Sequence, residues 1–387
     1  MPAPTRKPAV LHVLEATEGG TKRHVCDLLP LLAARGYAVT LAASFLRNPA
    51  AAEDMAPLFA KHGLPILEFP MRRAILPLTD LISAARLTRL VRRLKPDILH
   101  THSSKAGFLG RLAGSWGGIP VVHTPHAFPF LMEGGGMKKK FYFFLERMIQ
   151  RKTAALIAVS QEEAQAARRL GYPPERIHYI PNGSRGRSPS TPDIEGERPR
   201  EPSLLSVGFF GRLTRQKGGG LLLRAAAGLD VELRIHGRGE DEDALRKQCQ
   251  ILGISQRVHF MGECAQDEVV DNMRACSVIV VPSRWEGCPY VVLDAFAAGV
   301  PVIAVRVGGI PDLIRDGING VLVPPDDAQA LAGAIAALLK NPSQRHALAA
   351  AAQECLAHHT IDEMVDKVDR VYTTLSFRPS PILAESL

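Results

Sequence analysis

The part of the sequence that most constrains the fold runs from Val278 to Ala298. Val278 to Val281 are consecutive apolar residues, and a second apolar run, Tyr290 to Ala298, follows an eight-residue interval, Pro282-Ser283-Arg284-Trp285-Glu286-Gly287-Cys288-Pro289. A short run without a polar side is a strand buried on both faces, which belongs to a parallel sheet covered by helices. The longer run is predicted to be a helix, and Pro289 suits its first turn, where a missing N–H removes no bond. Glu286 and Gly287 therefore fall in a loop at the carboxyl end of a strand and the amino end of a helix. Open α/β sheets bind ligands there, and backbone N–H groups attract phosphate. Glu286 and Asp294 stand eight positions apart, about two helical turns, so the spacing predicts that both face one cleft.

The same unit of apolar strand, glycine turn and amphipathic helix recurs along the chain. Ala9 to Leu14 precede Glu18-Gly19-Gly20-Thr21 and a helix expected from about Lys22 to Ala34. Strands are also expected at Ala38–Ala43, Ile66–Phe69, Ile98–Thr101, Val121–Val122, Leu156–Val159 and Ile177–Ile180. Ser160 with Glu163 reads as a capping box. From Pro181 to Pro202 the chain is rich in Pro, Ser, Gly and Arg and reads as a linker. A second series begins at Leu204–Phe209 and continues through Val231–Ile235, Val258–Met261 and Val302–Val305. The predicted organisation is a first α/β domain over 1–180, the linker over 181–202 and a second α/β domain over 203–360. A last amphipathic helix occupies 361–377, with Met364, Val365, Val368, Val371, Tyr372 and Leu375 at helical spacing.

At 387 residues two domains are expected. No apolar run is long enough to span a bilayer, and the apolar stretch after the basic, Pro-rich start is too short for the core of a signal peptide. Six scattered cysteines, without metal-type spacing, predict a reduced, cytoplasmic protein. The net charge of +8 is unevenly placed: residues 1–180 carry 25 Lys+Arg against 13 Asp+Glu, and residues 181–387 carry 22 against 26. No nucleic-acid motif accompanies the basic half, so an anionic membrane surface or anionic acceptor is the expected partner. Lys138, Lys139 and Lys140 abut Phe141, Tyr142, Phe143 and Phe144, a pattern that suits a helix lying at a membrane interface. His100 and His102 share a strand face, but no third ligand is expected nearby, so no metal site is predicted. Asp241-Glu242-Asp243 reads as acids favoured at a helix start rather than as a metal motif.

Two further motifs decide the class. Gly211-Arg212-Leu213 is followed by Lys217-Gly218. Arg212 offers a fork of donors and Lys217 a point charge, as a diphosphate needs, and cations at a helix start call for an anionic partner. Together with Glu286, seven residues and Asp294, this pattern resembles the signature of retaining GT-B glycosyltransferases. The group 1 or family 4 type is meant, and His100 to Leu112 resembles its polysaccharide-assembly members. The resemblance runs from about Ala9 to Leu375. It implies a GT-B fold, with two Rossmann-like doubly wound domains facing a central cleft, and a last helix that packs back on the first domain.

The resemblance also implies transfer of a sugar from a nucleotide-sugar donor to a glycan or lipid-linked acceptor, in cell-surface polysaccharide assembly at the inner face of the membrane. No metal or other cofactor is implied. His126, Arg212, Lys217 and Glu286 would be the catalytic group. Gly19, Gly20, Arg212, Lys217, Gly262, Glu286, Gly287, Cys288, Pro289 and Asp294 would hold the donor, and Lys105 the acceptor. Glu286 matches the first acid of the family's pair, and Asp294 is one methylene shorter than the usual Glu. Ala127 stands where many members have Gly, and Ser184 departs from the usual turn. A nucleotide-sugar epimerase and a non-catalytic nucleotide-sugar-binding subunit are the other classes that this pattern admits.

Overall fold

A computed structural model describes residues 8–132, 134–186 and 205–376. Most of the linker expected over 181–202 lies outside the described residues. The chain forms two compact units, Met1–Pro181 with Ile361–Leu387, and Asn182–Thr360. They are called unit 1 and unit 2.

Unit 1 contains β1 (Ala9–Leu14), α1 (Gly19–Ala34), β2 (Ala38–Ala43), α2 (Ala50–Lys61), β3 (Ile66–Glu68), α3 (Pro77–Leu94) and β4 (Ile98–His102). It continues with α4 (Ser104–Gly117), β5 (Val121–Thr124), α5 (Gly136–Ile149), β6 (Ala155–Ala158), α6 (Gln161–Leu170) and β7 (Ile177–Tyr179). Unit 2 contains β8 (Ser206–Phe210), α7 (Gly219–Ala226), β9 (Glu232–His236), α8 (Glu242–Ile251), β10 (Val258–Gly262), α9 (Val269–Arg274) and β11 (Val278–Val281). There follow α10 (Tyr290–Ala298), β12 (Val302–Val305), α11 (Ile310–Leu313), β13 (Val321–Val323), α12 (Ala328–Lys340) and α13 (Pro342–Leu356). Finally α14 (Ile361–Ser376) returns to unit 1.

Both sheets are parallel and wound alike. The order is β3-β2-β1-β4-β5-β6-β7 in unit 1 and β10-β9-β8-β11-β12-β13 in unit 2. In each, the chain reverses its direction of winding between two central neighbours, β1 and β4 or β8 and β11. The crevice beyond the carboxyl ends of such a pair is the ligand position of a doubly wound sheet.

The two faces of the unit 1 sheet have separate cores. Val10, Leu14 and Ile98 pack with α1 and with Val365, Val368 and Tyr372 of α14. Leu11, Val13 and Leu99 pack beneath Leu87 and Val91 of α3 and Leu109 and Ala113 of α4. A methyl group at Gly107, Gly110 or Gly114 of α4 would collide with His123, Thr101 and Val121 respectively, so these glycines set how closely the helix lies on its strands. α14 is thus part of the core of unit 1, and its Asp369 accepts a hydrogen bond from Tyr37 Oη.

Local departures from expectation have simple causes. α1 begins at Gly19 rather than near Lys22, because the first residues of a helix need no N–H partner and a glycine pair fits there. Pro289 is the N-cap residue of α10, one position ahead of the first turn. The chain joins unit 2 already at Asn182, whose side-chain amide donates to Cys288 O at 2.8 Å, while Ser184 N donates to His359 O at 2.7 Å. In α5, Phe143 packs on the core around Phe128, whereas Met137, Phe141, Phe144 and Met148 are exposed. The aromatic run is therefore divided between inside and outside.

Candidate active site

The carboxyl ends of β8 and β11 carry the loops that contain Arg212, Lys217 and Glu286. Lys217 closes a short 3-10 turn before α7, and Gly218 follows it with φ +70°. A side chain at Gly218 would strike the carbonyl of Pro282, and one at Gly308 would strike the carbonyl of Glu286. The loops after β8 and β12 therefore close on the loop after β11 and fix its backbone.

Glu286 is buried, and its Oε1 accepts from Lys217 Nζ at 2.6 Å and from Ser283 Oγ at 2.7 Å. The Lys217–Glu286 pair thus bridges the point where the winding reverses. It also corrects the argument that the lysine's position calls for an anionic ligand, since Glu286 already answers its charge. An ammonium has three donors, so others remain for a ligand. Gln216 Nε2 donates to Trp285 O at 3.1 Å and ties the two loops further. Thr214 Oγ1 is buried beside Arg212 and makes no hydrogen bond among the described residues. Neither Ser283 nor Thr214 carries a local sequence signal of its own, although Ser283 lies in the interval between the apolar runs Val278–Val281 and Tyr290–Ala298.

Asp294 is buried in the second turn of α10. Glu286 lies outside that helix, so helical spacing does not relate the two acids. The loop geometry places Glu286, and α10 places Asp294. Cys264, two residues beyond Gly262, feels the negative charge of Asp294; burial first, then nearby acids, push its thiol up. This brings the end of β10 near Asp294. Gly287, Cys288 and Pro289 lie on the same loop as Glu286, Cys288 and Pro289 being buried.

In unit 1, Gly19 and Gly20 form the start of α1, after the end of β1. His126 sits two residues beyond β5, with φ +54° at His126 and +80° at Ala127. The second value explains why glycine suits that position. This bent loop is held by Glu163, whose carboxylate accepts from Ala127 N and, at 2.8 Å, from Val159 N. Burial raises the Glu163 carboxyl to about 7, against the opposing effect of these two N–H groups. Ser160 caps α6 by accepting from Glu163 N at 3.1 Å. The Glu163 side chain, however, reaches beyond its own helix to the β5 loop.

Two expectations fail in unit 1. Lys105 does begin α4, but its Nζ donates to Ala74 O at 2.6 Å and to both oxygens of Asp80 at 2.8 Å. All its donors are spent on the protein, so the acceptor role has no geometric support. His100 and His102 do have other imidazoles nearby. His12 joins them, and His24 and His126 flank His102, in two groups whose ligand atoms lie within 4.8 Å of one another. Sequence distance concealed this, because β1 and β4 pair in register, His12 beside His100. Burial, and then neighbouring imidazoles, hold His12 down to about 3 and His100, His102 and His126 well below the ordinary histidine range.

Two parallel Rossmann-like sheets, with a cation–carboxylate pair at the reversal point of the second, define the class as a GT-B glycosyltransferase. Residues 192–355 match the family profile described as glycosyl transferases group 1, and residues 19–183 match that of the glycosyl transferase 4-like domain. The chain belongs to the group 1 glycosyltransferases. It is 32% identical over 307 residues to D-inositol 3-phosphate glycosyltransferase 1 of Catenulispora acidiphila, covering 71% of this chain and 72% of that protein. The corresponding protein of Rhodococcus erythropolis is 29% identical over 381 residues, 90% of this chain and 86% of the relative. In fold the chain resembles HepE of Anabaena in complex with UDP and glucose, with TM-score 0.78 and 23% identity over 95% of this chain and all of that one. Sucrose-phosphate synthase of Thermosynechococcus elongatus is similar at TM-score 0.78 and 22% identity, over 96% and 99% of the two chains.

Proposed function

We propose that the chain moves a sugar from a nucleotide-sugar to a hydroxyl of a glycan or lipid-linked acceptor, with retention at the anomeric carbon and without a metal ion. The observation that carries this reading is the Lys217–Glu286 pair at the β8–β11 reversal point, with Arg212 on the same loop as Lys217. In the proposed step the bond from the anomeric carbon to the diphosphate oxygen breaks. Arg212, Lys217 and backbone N–H groups neutralise the departing charge, which is electrostatic preorganisation. The departing phosphate oxygen takes the proton of the acceptor hydroxyl, and that hydroxyl oxygen bonds to the same face of the sugar. Glu286 orients the sugar, Asp294 accepts from the ribose, and His126 lines the reacting side. Gly19, Gly20, Gly262, Gly287, Cys288 and Pro289 are kept as donor contacts.

The UDP and glucose held by HepE favour a UDP-sugar as the first donor to try. The names of the inositol phosphate relatives favour a second acceptor reading, a small phosphorylated polyol. Transfer assays from UDP-sugars to each acceptor class, with and without chelator, test the proposal. Donor consumed without any acceptor product, or activity restored only by metal, would reject it. The proposed setting is cell-surface polysaccharide assembly at the inner face of a membrane. Exposed Met137, Phe141 and Phe144 beside Lys138 and Lys140 support it. Changing Lys138, Lys139 and Lys140 together to Glu should abolish co-sedimentation with anionic vesicles, and unchanged binding would remove the membrane from the proposal.

A further inference from the structure

Four imidazoles of unit 1 and two hydroxyls are joined into a single file. His100 Nε2 lies 2.8 Å from Thr124 Oγ1, and His100 Nδ1 lies 2.5 Å from Tyr372 Oη. Tyr372 Oη lies 3.4 Å from His12 Nε2, and His12 Nδ1 lies 3.0 Å from His102 Nε2. His102 Nδ1 closes the file at 3.2 Å from His126 Nε2. Thr124, His100, Tyr372, His12 and His102 have no exposed surface, whereas His126 is partly exposed. The file thus runs from the core to His126, its one member with exposed surface.

We propose that Tyr372, His12 and His102 are positioning residues that set the tautomer and ring orientation of His126. Each link holds one proton, and a neutral imidazole brings one N–H. From Tyr372 to His126 every proton must therefore point the same way, and the sense is set by whether the Tyr372 hydroxyl donates to His12 or accepts from it. In one sense the His126 Nε2 accepts and its Nδ1 carries the proton. In the other sense Nε2 donates and Nδ1 is left as an acceptor. A mixed arrangement would set two N–H groups or two lone pairs face to face in a dry site. The state of His126 is therefore tied to a hydroxyl on α14. An additional proton anywhere in the file would be an imidazolium among imidazoles, and the depressed values of these histidines agree with its exclusion.

The same nitrogens could instead be metal ligands, in the groups His12, His100, His102 and His24, His102, His126. However, both ring nitrogens of His12, His100 and His102 are already in the file, so a metal would have to break it. The catalytic value of the relay rests on the proposed role of His126, but its existence does not.

The test uses the full chain labelled with 15N-histidine. Tyr372→Phe keeps the ring and removes the link. The His126 and His12 ring nitrogens should then shift toward a mixture of tautomers, and kcat should fall on the order of tenfold with donor KM nearly kept. Thr124→Val, at the far end, should give a smaller shift in the same resonances. Arg35→Met is the control: it loosens α14 by removing the 2.6 Å contact of Arg35 Nη2 with Asp366, no hydrogen bond of the file involves Arg35, and it should leave the histidine spectrum alone. An unchanged spectrum in Tyr372→Phe, the same change in Arg35→Met, or uptake of one zinc per wild-type chain would overturn the relay. If the spectrum shifts as expected but His126→Ala keeps full activity, the relay stands and the assignment of His126 to the reaction fails.

Discussion

The two units wind their sheets in the same order but fill the reversal point with opposite chemistry. Unit 2 places an ammonium against a carboxylate, Lys217 to Glu286 at 2.6 Å, on loops pressed together by glycines. Unit 1 places imidazoles and a phenol there, all neutral and nearly all sealed from water. A charged pair at the rim can exchange a partner for a ligand with little rearrangement. A neutral file in the core can only reorient its protons. On the proposed reading, one topology supplies a binding device in one unit and a tuning device in the other.

The largest effect expected from this contrast is on stability in acid. His12, His100, His102 and His123 are wholly buried, and burial holds each below its ordinary value. Their folded values lie below the unfolded one, so the stability they carry is complete above about pH 6.5 and is lost as pH falls toward the folded values, about 3 for His12. Glu163 and Glu15, raised by burial, oppose this by favouring the fold as pH falls through the carboxylate range. Each uncompensated histidine contributes about 1.4 kcal/mol per pH unit. Unit 1 should therefore unfold before unit 2 on acidification. Trp116 lies in unit 1 and Trp285 in unit 2, so fluorescence of Trp285→Phe and Trp116→Phe reads each unit separately. Coincident transitions, or earlier loss of unit 2, would break the comparison.

Next in size is Lys217→Ala. It should lower turnover by about a hundred- to a thousandfold, the scale for losing one preorganised donor to developing charge, with the acid transition of unit 1 unmoved. Near-normal rates would mean that the pair only ties loops together. Asp294→Ala should weaken free nucleoside diphosphate by about ten- to a hundredfold in a calorimetric titration, whereas Asp294→Glu is tolerated. Wild-type affinity in the alanine variant would make Asp294 a core residue of α10. The smallest effect is Ala127→Gly. Relief of a left-handed alanine, about 1 kcal/mol, is offset in part by the freer unfolded chain, so the melting temperature should rise slightly. A fall would show that the Glu163 clamp depends on the methyl group.

How much the sequence revealed divides along the same line. The strands, the reversal-point loops and the Arg212, Lys217 and Glu286 positions were legible, because each is a short-range pattern of apolar run, glycine and polar residue. The histidine file was not, since His12, His102 and Tyr372 are joined only by the pairing of β1 with β4 and by the return of α14. Lys105 misled for the same reason: its partner Asp80 lies on α3, and nothing in the local sequence announces the contact. Glu163 was legible as a cap, but its hold on Ala127 was not.

The return of α14 has a consequence for the order in which the protein comes into being. Unit 2 is continuous in the sequence, whereas the core of unit 1 needs Val365, Val368 and Tyr372 of α14, which follows unit 2. During synthesis, which proceeds from the N-terminus with domains folding as units, unit 1 is begun before unit 2 but finished after it. Until α14 leaves the ribosome, Leu14, Val25 and the imidazoles beside them lack their cover. Unit 1 therefore waits, with an open apolar face, until unit 2 has been made.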